Sequence, residues 1–274
     1  MKFPRLVFSA ACAVTVSAAM LGTAASASAA GASYVALGDS YSSGTGTGSY
    51  DLDSSCQRSS KAYPALWASS HAPASFKFVA CSGAKTSDVK ASQISALTTS
   101  TTLASITIGG NDAGFASVME TCVLGSDSDC QTAVNNAENY ARTTLPGNLN
   151  STFSAMRTAA PSAHIVVLDY PHLYITNDTY CVGLDHTKHV LLNQAADVLD
   201  GVISTATSNA GAGFTFADVR NQFAGHELCS GDGWLHSVDW SDFSSSYHPT
   251  ATGHASGYLP VFSGKTSLAA ASKS

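Results

Sequence analysis

The sequence predicts an α/β fold, a three-layer sandwich in which a five-stranded parallel sheet lies between two layers of helices. Five short apolar runs, each bounded by Gly, Asp, Ser or Pro, have the nearly continuous apolarity typical of strands that are covered on both faces. Between the runs, apolar residues recur at helical spacing, and strands that alternate with helices favour a parallel sheet. The five runs are residues 34–37, 76–80, 105–108, 165–169 and 214–217.

Three stretches between these runs have the apolar stripe of an amphipathic helix. We expect the first helix to end at Pro146-Gly147 and the second near Pro161. No internal repeat or linker divides the chain. The three stripes are Val134, Ala137, Ala141 and Leu145; Leu149, Phe153 and Met156; and Leu191, Ala195, Val198 and Val202.

The N-terminus has the three parts of an export signal. Lys2 and Arg5 form a positive start, residues 6–21 are mostly apolar, and Ala27-Ser28-Ala29 is a small-residue cleavage site. Cleavage after Ala27 is an alternative. We therefore expect residues 1–29 to be a signal peptide and residues 30–274 to form one exported domain, which is long enough for a sizeable core.

Charge and hydropathy exclude two classes of partner. The chain has 13 basic and 19 acidic residues, and loss of Lys2 and Arg5 with the signal peptide leaves a formal charge of −8. The basic residues form no cluster, so the electrostatic pattern of a nucleic-acid binder is absent. After residue 21 no apolar run approaches the ~20 residues of a membrane span. We expect a secreted, extracellular monomer.

Six of the seven cysteines follow the signal peptide, and an even number in an exported chain predicts disulfides. Fifteen pairings are possible, and pairing in sequence order closes the shortest loops. A zinc site is the alternative, but no CxxC motif is present. The long polar segment 219–247 is predicted to be a functional loop held by its cysteine. The six are Cys56, Cys81, Cys122, Cys130, Cys181 and Cys229.

Chemically capable residues follow the predicted strands, at the edge of the sheet where ligands bind in open α/β folds. Ser40 follows the first strand in Gly38-Asp39-Ser40, Gly83 follows the second, and Asn111 follows the third in Gly109-Gly110-Asn111-Asp112. His248, in His248-Pro249, lies near the C-terminus. A hydroxyl nucleophile, an imidazole base and N–H donors for an oxyanion are the requirements of a serine hydrolase.

These four blocks, in this order, resemble those of the SGNH hydrolases, the GDSL-type esterases and lipases, and in particular the small secreted lipases and phospholipases A1 of actinomycetes. The resemblance covers nearly all of the mature chain. It implies a sheet of flavodoxin-like order and hydrolysis of carboxylic esters through an acyl-enzyme, with no cofactor and no metal.

The resemblance also implies roles for individual residues. Ser40 is then the nucleophile, His248 the general base and acid, and the oxyanion hole consists of the Ser40 N–H, the Gly83 N–H and the Asn111 side-chain amide. It further implies disulfides in sequence order, Cys56–Cys81, Cys122–Cys130 and Cys181–Cys229.

The chain departs from the family pattern at the group that orients the histidine. The family commonly has an Asp three residues before the catalytic His, and here that residue is Ser245. We expect the backbone carbonyl of Ser245 or Ser246 to accept the His248 Nδ1–H, because the third member of a triad mainly fixes tautomer and orientation. Asp242 is the alternative.

Other signals have simpler interpretations. Asp39 and Asp112 are expected to be turn and helix-cap residues. Gly44-Thr45-Gly46-Thr47-Gly48 lacks the spacing of a phosphate-binding loop, so its glycines are expected to let the chain bend beside Ser40. The Gly-x-Ser-x-Gly motif of α/β-hydrolases is absent.

The remaining histidines are predicted to be surface or packing residues. His186 and His189 beside Asp185 could ligate a metal, but the sequence offers no further ligand. The others in this group are His71, His164, His172, His226, His236 and His254.

The substrate is less closely defined by the sequence. Several apolar residues near the motifs could line an acyl groove or belong to the core. Acylglycerols are the first expectation, phospholipids cleaved by a phospholipase A1 the second, and carbohydrate acetyl esters the third. The alternative of a different class is a catalytically silent binding module, which an organophosphonate would not label. The apolar residues are Phe115, Leu173, Tyr174, Trp234 and Trp240.

Overall fold

A computed structural model describes residues 31–176, 181 and 184–271, with side chains to residue 266. The predicted signal peptide lies outside the described residues. Five parallel strands form one sheet in the order β2-β1-β3-β4-β5, the flavodoxin-like order, which confirms the predicted fold class. Each strand lies within two residues of its predicted run. The strands are β1 (Ser33–Gly38), β2 (Ser75–Phe78), β3 (Leu103–Thr107), β4 (His164–Leu168) and β5 (Phe214–Ala217).

Helices cover both faces of the sheet. On one face α2 contacts β2 and α9, and α9 contacts β4 and β5; on the other, α5, α6 and α7 contact one another and α7 contacts β5. Short π-helical and 3₁₀ turns occur at 89–93, 94–96, 243–245 and 253–258. The α-helices are α1 (Ser40–Ser43), α2 (Tyr63–His71), α3 (Thr86–Asp88), α4 (Phe115–Leu124), α5 (Asp127–Thr143), α6 (Leu145–Ala159), α7 (His186–Asn209), α8 (Arg220–Phe223) and α9 (Leu259–Ala271).

The core lies on both faces of the central strands. All five residues of β3 are buried. On the α2–α9 face the ring of Tyr34 packs within 5.1 Å of Trp67 and 5.5 Å of Phe262, centroid to centroid. Leu149 and Phe153 of α6 are fully buried on the other. Burial of each such side chain stabilises the fold by ~1.5–3 kcal/mol, so these contacts hold the strand ends in fixed positions.

The predicted boundary at Pro146-Gly147 is wrong. Helix α5 already ends at Thr143, and α6 begins at Leu145 with Pro146 in its first turn. Proline is favoured there because the first helical N–H groups have no intrahelical partner and its fixed φ suits the helix. Leu145 therefore belongs to the second helix, and the Pro-Gly pair starts that helix instead of ending the first.

The segment after β5 is long and mostly irregular, as predicted, although it contains α8 and the 3₁₀ turn Phe243–Ser245. Cys229 within it is joined to Cys181, and an antiparallel bridge pairs Leu235 with Pro249. The other two disulfides are Cys56–Cys81 and Cys122–Cys130, so the structure forms the three pairs that the resemblance implied.

Candidate active site

Ser40 lies at the first residue of α1, directly beyond the end of β1. Asp39 caps this short helix: its carboxylate accepts the Tyr41 N–H at 3.1 Å and the Thr107 hydroxyl at 2.6 Å, and Tyr170 donates a further hydrogen bond. Burial raises the pKa of Asp39 to about 6. Asp39 thus fixes the turn that carries Ser40, which confirms its predicted role as a cap.

His248 lies beside Ser40, with its Nε2 2.7 Å from the Ser40 Oγ. Its Nδ1 lies 3.0 Å from the Ser246 carbonyl oxygen. A carbonyl can only accept, so this contact fixes the proton on Nδ1 and leaves Nε2 to accept the Ser40 hydroxyl proton. The two side chains therefore form a serine–imidazole pair of the geometry needed for general-base activation.

The other two groups predicted as candidates for orienting His248, the Ser245 carbonyl and the Asp242 carboxylate, contact other atoms. The Ser245 carbonyl accepts the backbone N–H of His248 itself at 3.1 Å, and the Asp242 carboxylate accepts the Ser244 hydroxyl at 2.6 Å. Of the predicted groups, the Ser246 carbonyl is thus the one in contact with the imidazole.

A left-handed turn at Tyr247 aims this carbonyl at the ring, and sequence reasoning missed it. Tyr247 has φ +64°, which non-glycine residues seldom adopt and which surrounding contacts must hold. Its carbonyl accepts the Tyr41 hydroxyl at 2.7 Å and its N–H donates to the His236 carbonyl at 2.9 Å. The only sequence feature related to this turn was Tyr41, directly after Ser40.

The glycine-rich loop after α1 bends beside Ser40, as predicted, and also packs against His248: the Gly44 and Thr45 N–H groups donate to the Ser40 carbonyl at 3.1 and 3.2 Å. The Gly46 carbonyl accepts a hydrogen bond of 2.7 Å from His236 Nε2. A Cβ on Gly46 would lie 2.7 Å from the Pro249 carbonyl oxygen and 3.0 Å from the His248 Cβ. Gly46 is therefore required for close packing behind the imidazole, and His236 is a half-buried packing residue beside the site, one of the two roles predicted for it.

Burial lowers the pKa of His248 to about 4. The hydrogen bond to the Ser246 carbonyl opposes this shift because it favours the protonated ring, but the loss of hydration is the larger effect. The imidazole is therefore neutral at neutral pH, which is the state that can accept a proton from a hydroxyl.

The predicted oxyanion donors follow the adjacent strands β1, β2 and β3. Among the described residues, no acceptor is bonded to the Ser40 N–H or to the Gly83 N–H. One N–H of the Asn111 amide donates to the Ala84 carbonyl at 3.1 Å, which orients the amide and leaves its second N–H for a ligand. The Asp112 carboxylate caps the start of α3 at Thr86, as predicted for a cap, and so ties the two loops together.

An apolar cleft opens at Ser40 and Asn111 and runs between α4, α5 and α7. Phe115 and Leu173 line it, as one of the two interpretations expected. Trp240 lies on the surface instead, and Tyr174 and Trp234 stack on His189 and His226. Small apolar side chains make up much of the wall; they include Ala113, Ala137, Ala141, Ala195 and Ala196.

Within the described ranges, no group of three or more His, Cys, Asp or Glu side chains is arranged to hold a metal ion. The ring of His189 stacks on Tyr174 at 4.0 Å and is buried in the core. No helix in the part of the chain that the structure describes is long and apolar enough to cross a bilayer.

A parallel sheet of this order, with a hydrogen-bonded serine and histidine and free N–H donors beyond its strand ends, defines the class of the protein. It is a carboxylic ester hydrolase of the SGNH type.

Comparison with known proteins gives the family. The profile of the GDSL-like lipase/acylhydrolase family matches residues 36–256. The chain is 54% identical over 232 residues to Lipase 1 of Streptomyces coelicolor, covering 84% of this chain and 85% of that one. This protein belongs to the GDSL-like lipase/acylhydrolase family.

Two solved structures have the same fold along their whole length. The phospholipase A1 of Streptomyces albidoflavus NA297 superimposes with a TM-score of 0.84 at 54% identity, covering 86% of this chain and 100% of that one. The extracellular lipase of Streptomyces rimosus gives 0.82 at 50% identity, covering 85% and 99%.

Proposed function

We propose that this protein is a secreted enzyme that hydrolyses the carboxylic esters of lipids through an acyl-enzyme on Ser40. The observation that carries the proposal is the 2.7 Å contact between Ser40 Oγ and His248 Nε2 at the opening of an apolar cleft. A nucleophile at the end of an apolar cleft suits an ester whose acyl part is a hydrocarbon chain.

In the acylation step His248 Nε2 takes the Ser40 hydroxyl proton while Oγ bonds to the ester carbonyl carbon. The carbonyl oxygen becomes an oxyanion that accepts hydrogen bonds from the Ser40 N–H, the Gly83 N–H and the Asn111 amide. His248 then gives the proton to the leaving alcohol oxygen as the C–O bond breaks. Water repeats the sequence, which releases the fatty acid and restores Ser40.

In this proposal His248 is held by the Ser246 main-chain carbonyl instead of a carboxylate. A carbonyl supports the correct tautomer and ring orientation, the principal roles of the third residue of a triad. It carries no full negative charge, so it stabilises the imidazolium less than an aspartate would. Burial of the ring also destabilises the imidazolium, and this burial is the main cause of the low pKa of His248, about 4.

Acylglycerols are the first proposed substrates. The cleft is lined by apolar side chains of α4, α5 and α7, such as Phe115 and Leu199, which suit a hydrocarbon acyl chain better than an acetyl group. This argues against carbohydrate acetyl esters. Phospholipase A1 activity is the second candidate, and the likeness to the phospholipase A1 of Streptomyces albidoflavus NA297 favours it.

We further propose that residues 1–29 are removed on export, that residues 30–274 act as one domain, and that this domain is a monomer. The Streptomyces rimosus relative is named an extracellular lipase, which supports export. The mass of the protein recovered from culture medium tests the cleavage site, and size-exclusion chromatography with light scattering tests the monomer.

A series of p-nitrophenyl esters from acetate to palmitate tests the substrate proposal. We expect kcat/KM to rise with chain length, and the Ser40→Ala variant to be inactive on every ester. Release of the sn-1 acyl chain from phosphatidylcholine would extend the activity to phospholipase A1. A preference for acetate, or turnover by Ser40→Ala, would contradict the proposal.

A further inference from the structure

One loop of the protein, residues 239–246, exposes two aromatic side chains to solvent. Trp240 is 70% exposed and Phe243 is 46% exposed, with their ring centroids 6.3 Å apart. Only five large apolar side chains in the described part of the chain are exposed, and two of them belong to this loop. Large aromatic residues are usually buried, so an exposed pair on one short loop indicates a contact surface.

The same loop carries the group that orients the catalytic imidazole. Ser246, at its end, accepts His248 Nδ1–H with its carbonyl and the Asp239 N–H with its hydroxyl, at 3.0 and 2.9 Å. The exposed rings therefore belong to the loop that ends at the residue orienting His248.

A second set of contacts joins the loop to the nucleophile. The Ser244 hydroxyl accepts from the Gln57 amide at 3.0 Å, and Gln57 accepts from Thr45 at 2.9 Å. The Thr45 N–H donates to the Ser40 carbonyl at 3.2 Å. The 239–246 loop is thus connected to Ser40 through two residues, Gln57 and Thr45.

The charges on the loop indicate which surface it fits. Asp239 and Asp242 are its charged residues, and it contains no Lys, Arg or His. An anionic lipid surface would be repelled. The outermost charge of a phosphatidylcholine layer is the choline ammonium, which attracts carboxylates and binds to aromatic faces through cation–π contacts.

We propose that Trp240 and Phe243 insert into a zwitterionic phosphatidylcholine surface and hold the enzyme on that surface. This rests on the proposed function, because a lipid ester is the substrate that such a surface presents. Insertion of two aromatic side chains contributes binding free energy in proportion to the apolar area removed from water.

Vesicle binding tests the surface without turnover. Ser40→Ala protein is mixed with vesicles of ether-linked phosphatidylcholine, which contain no ester, and the bound fraction is measured by flotation. We expect Trp240→Ala/Phe243→Ala in this background to lower the partition coefficient tenfold or more. Leu124→Ala, at a 67% exposed leucine on α4, is the matched control and should bind as the parent does.

Three outcomes of this experiment would overturn the proposal. They are a parent that does not bind, a double variant that binds as tightly as the parent, and stronger binding to phosphatidylglycerol than to phosphatidylcholine. An equal loss on Leu124→Ala would also overturn it, since binding would then depend on general surface hydrophobicity. Thermal unfolding midpoints verify that the variants are folded.

Tryptophan fluorescence gives a readout in protein with an intact loop. Of the three tryptophans, Trp67 is buried and Trp234 is half-buried, so an inserted fluorophore is Trp240. Vesicles of brominated phosphatidylcholine should quench its emission, and Trp240→Phe should remove the quenched component while retaining binding. Unquenched emission from bound protein would overturn the proposal.

Wild-type turnover of a soluble short-chain ester separates the two proposals. Binding of the vesicles without any ester turnover would contradict the proposed function and leave the docking surface standing. Turnover of the soluble ester without vesicle binding would contradict the docking surface alone.

Discussion

The orientation of His248 depends on a main-chain atom, the Ser246 carbonyl, and not on a carboxylate. Ser40, Gly83 and Asn111 could be predicted as candidate site residues because each follows a strand, and His248 because its His-Pro block completes the family's order of motifs. The carbonyl that orients the ring could not be predicted from the sequence. Its position depends on the positive φ of Tyr247, on a hydrogen bond from Tyr41, which is distant in sequence, and on one to His236.

Asp242→Asn tests this arrangement. We expect kcat/KM on a soluble ester to fall less than about tenfold, because the Asp242 carboxylate binds Ser244 and the Ser246 carbonyl is unchanged. In a Ser-His-Asp enzyme the equivalent change costs ~10⁴. His248→Ala, measured alongside, shows the full range of the assay. A loss of a thousandfold or more with the fold preserved would make Asp242 a triad member.

The pH profile follows from the same residue. The pKa of His248 is lowered to about 4 by burial, and the neutral ring is the active form, so activity should be lost only as pH falls through about 4. We expect a flat kcat/KM from pH 6 to 8. The pKa of Asp39 is raised to about 6, so Asp39 titrates at the lower end of this range. NMR of isotope-labelled histidine therefore measures the titration of the His248 ring separately from that of Asp39. Titration of His248 near the usual 6.5 would contradict this account.

Among the elements that build the site, the strands have a recognisable hydrophobic pattern, whereas the loops around His248 do not. Strand positions were predicted within two residues because buried parallel strands have continuous apolar runs. The boundary between α5 and α6 was not predicted correctly, because proline is favoured in the first turn of a helix as well as being a breaker of helix interiors, and Pro146 takes the first role. The Gly46 carbonyl accepts a hydrogen bond from the His236 ring, and the backbone at Leu235 and His236 pairs with His248 and Pro249; neither contact leaves a sequence pattern.

Paired glycine substitutions test the role of the loop. Gly46 and Gly48 both have positive φ, +90° and +73°, so alanine is strained at either position. Only at Gly46 would the new Cβ meet His248 and Pro249; at Gly48 nothing lies within 4 Å. We expect Gly46→Ala to lower kcat/KM by ~10²-fold through misplacement of the imidazole, and Gly48→Ala to have little effect. Equal losses would show that backbone strain alone matters.

At the scale of the whole molecule, a buried pair of carboxylates lies beneath the site. Asp169, after β4, and Asp200, on α7, are both fully buried, and Arg220 Nε lies 3.8 and 3.7 Å from their Oδ2 atoms. Burial raises the pKa of Asp169 to about 8 and also raises that of Asp200. The Asp200 Oδ1 accepts the Tyr170 N–H, which links the pair to Asp39 through the Tyr170 hydroxyl.

This pair predicts how stability depends on pH. A carboxyl whose pKa is raised in the folded state stabilises the fold below its unfolded pKa, ~3.9, and that stabilisation is lost as pH rises through about 8. Asp200→Asn, which keeps the acceptor for Tyr170, should therefore reduce the fall of the unfolding midpoint between pH 4 and 8. Asp197→Asn removes a half-exposed partner of Arg220 and is the control that should keep the slope. An unchanged slope in Asp200→Asn would contradict the assignment.

Covalent labelling is the most direct test of whether Ser40 and His248 form the catalytic pair of an ester hydrolase. The protein is treated with a p-nitrophenyl alkylphosphonate, and the peptides are mapped by mass spectrometry. We expect one phosphonate per chain, attached to Ser40, with labelling lost in Ser40→Ala and strongly slowed in His248→Ala, because the neutral imidazole activates the hydroxyl. A label on another residue, or the absence of a label from folded protein, would contradict it.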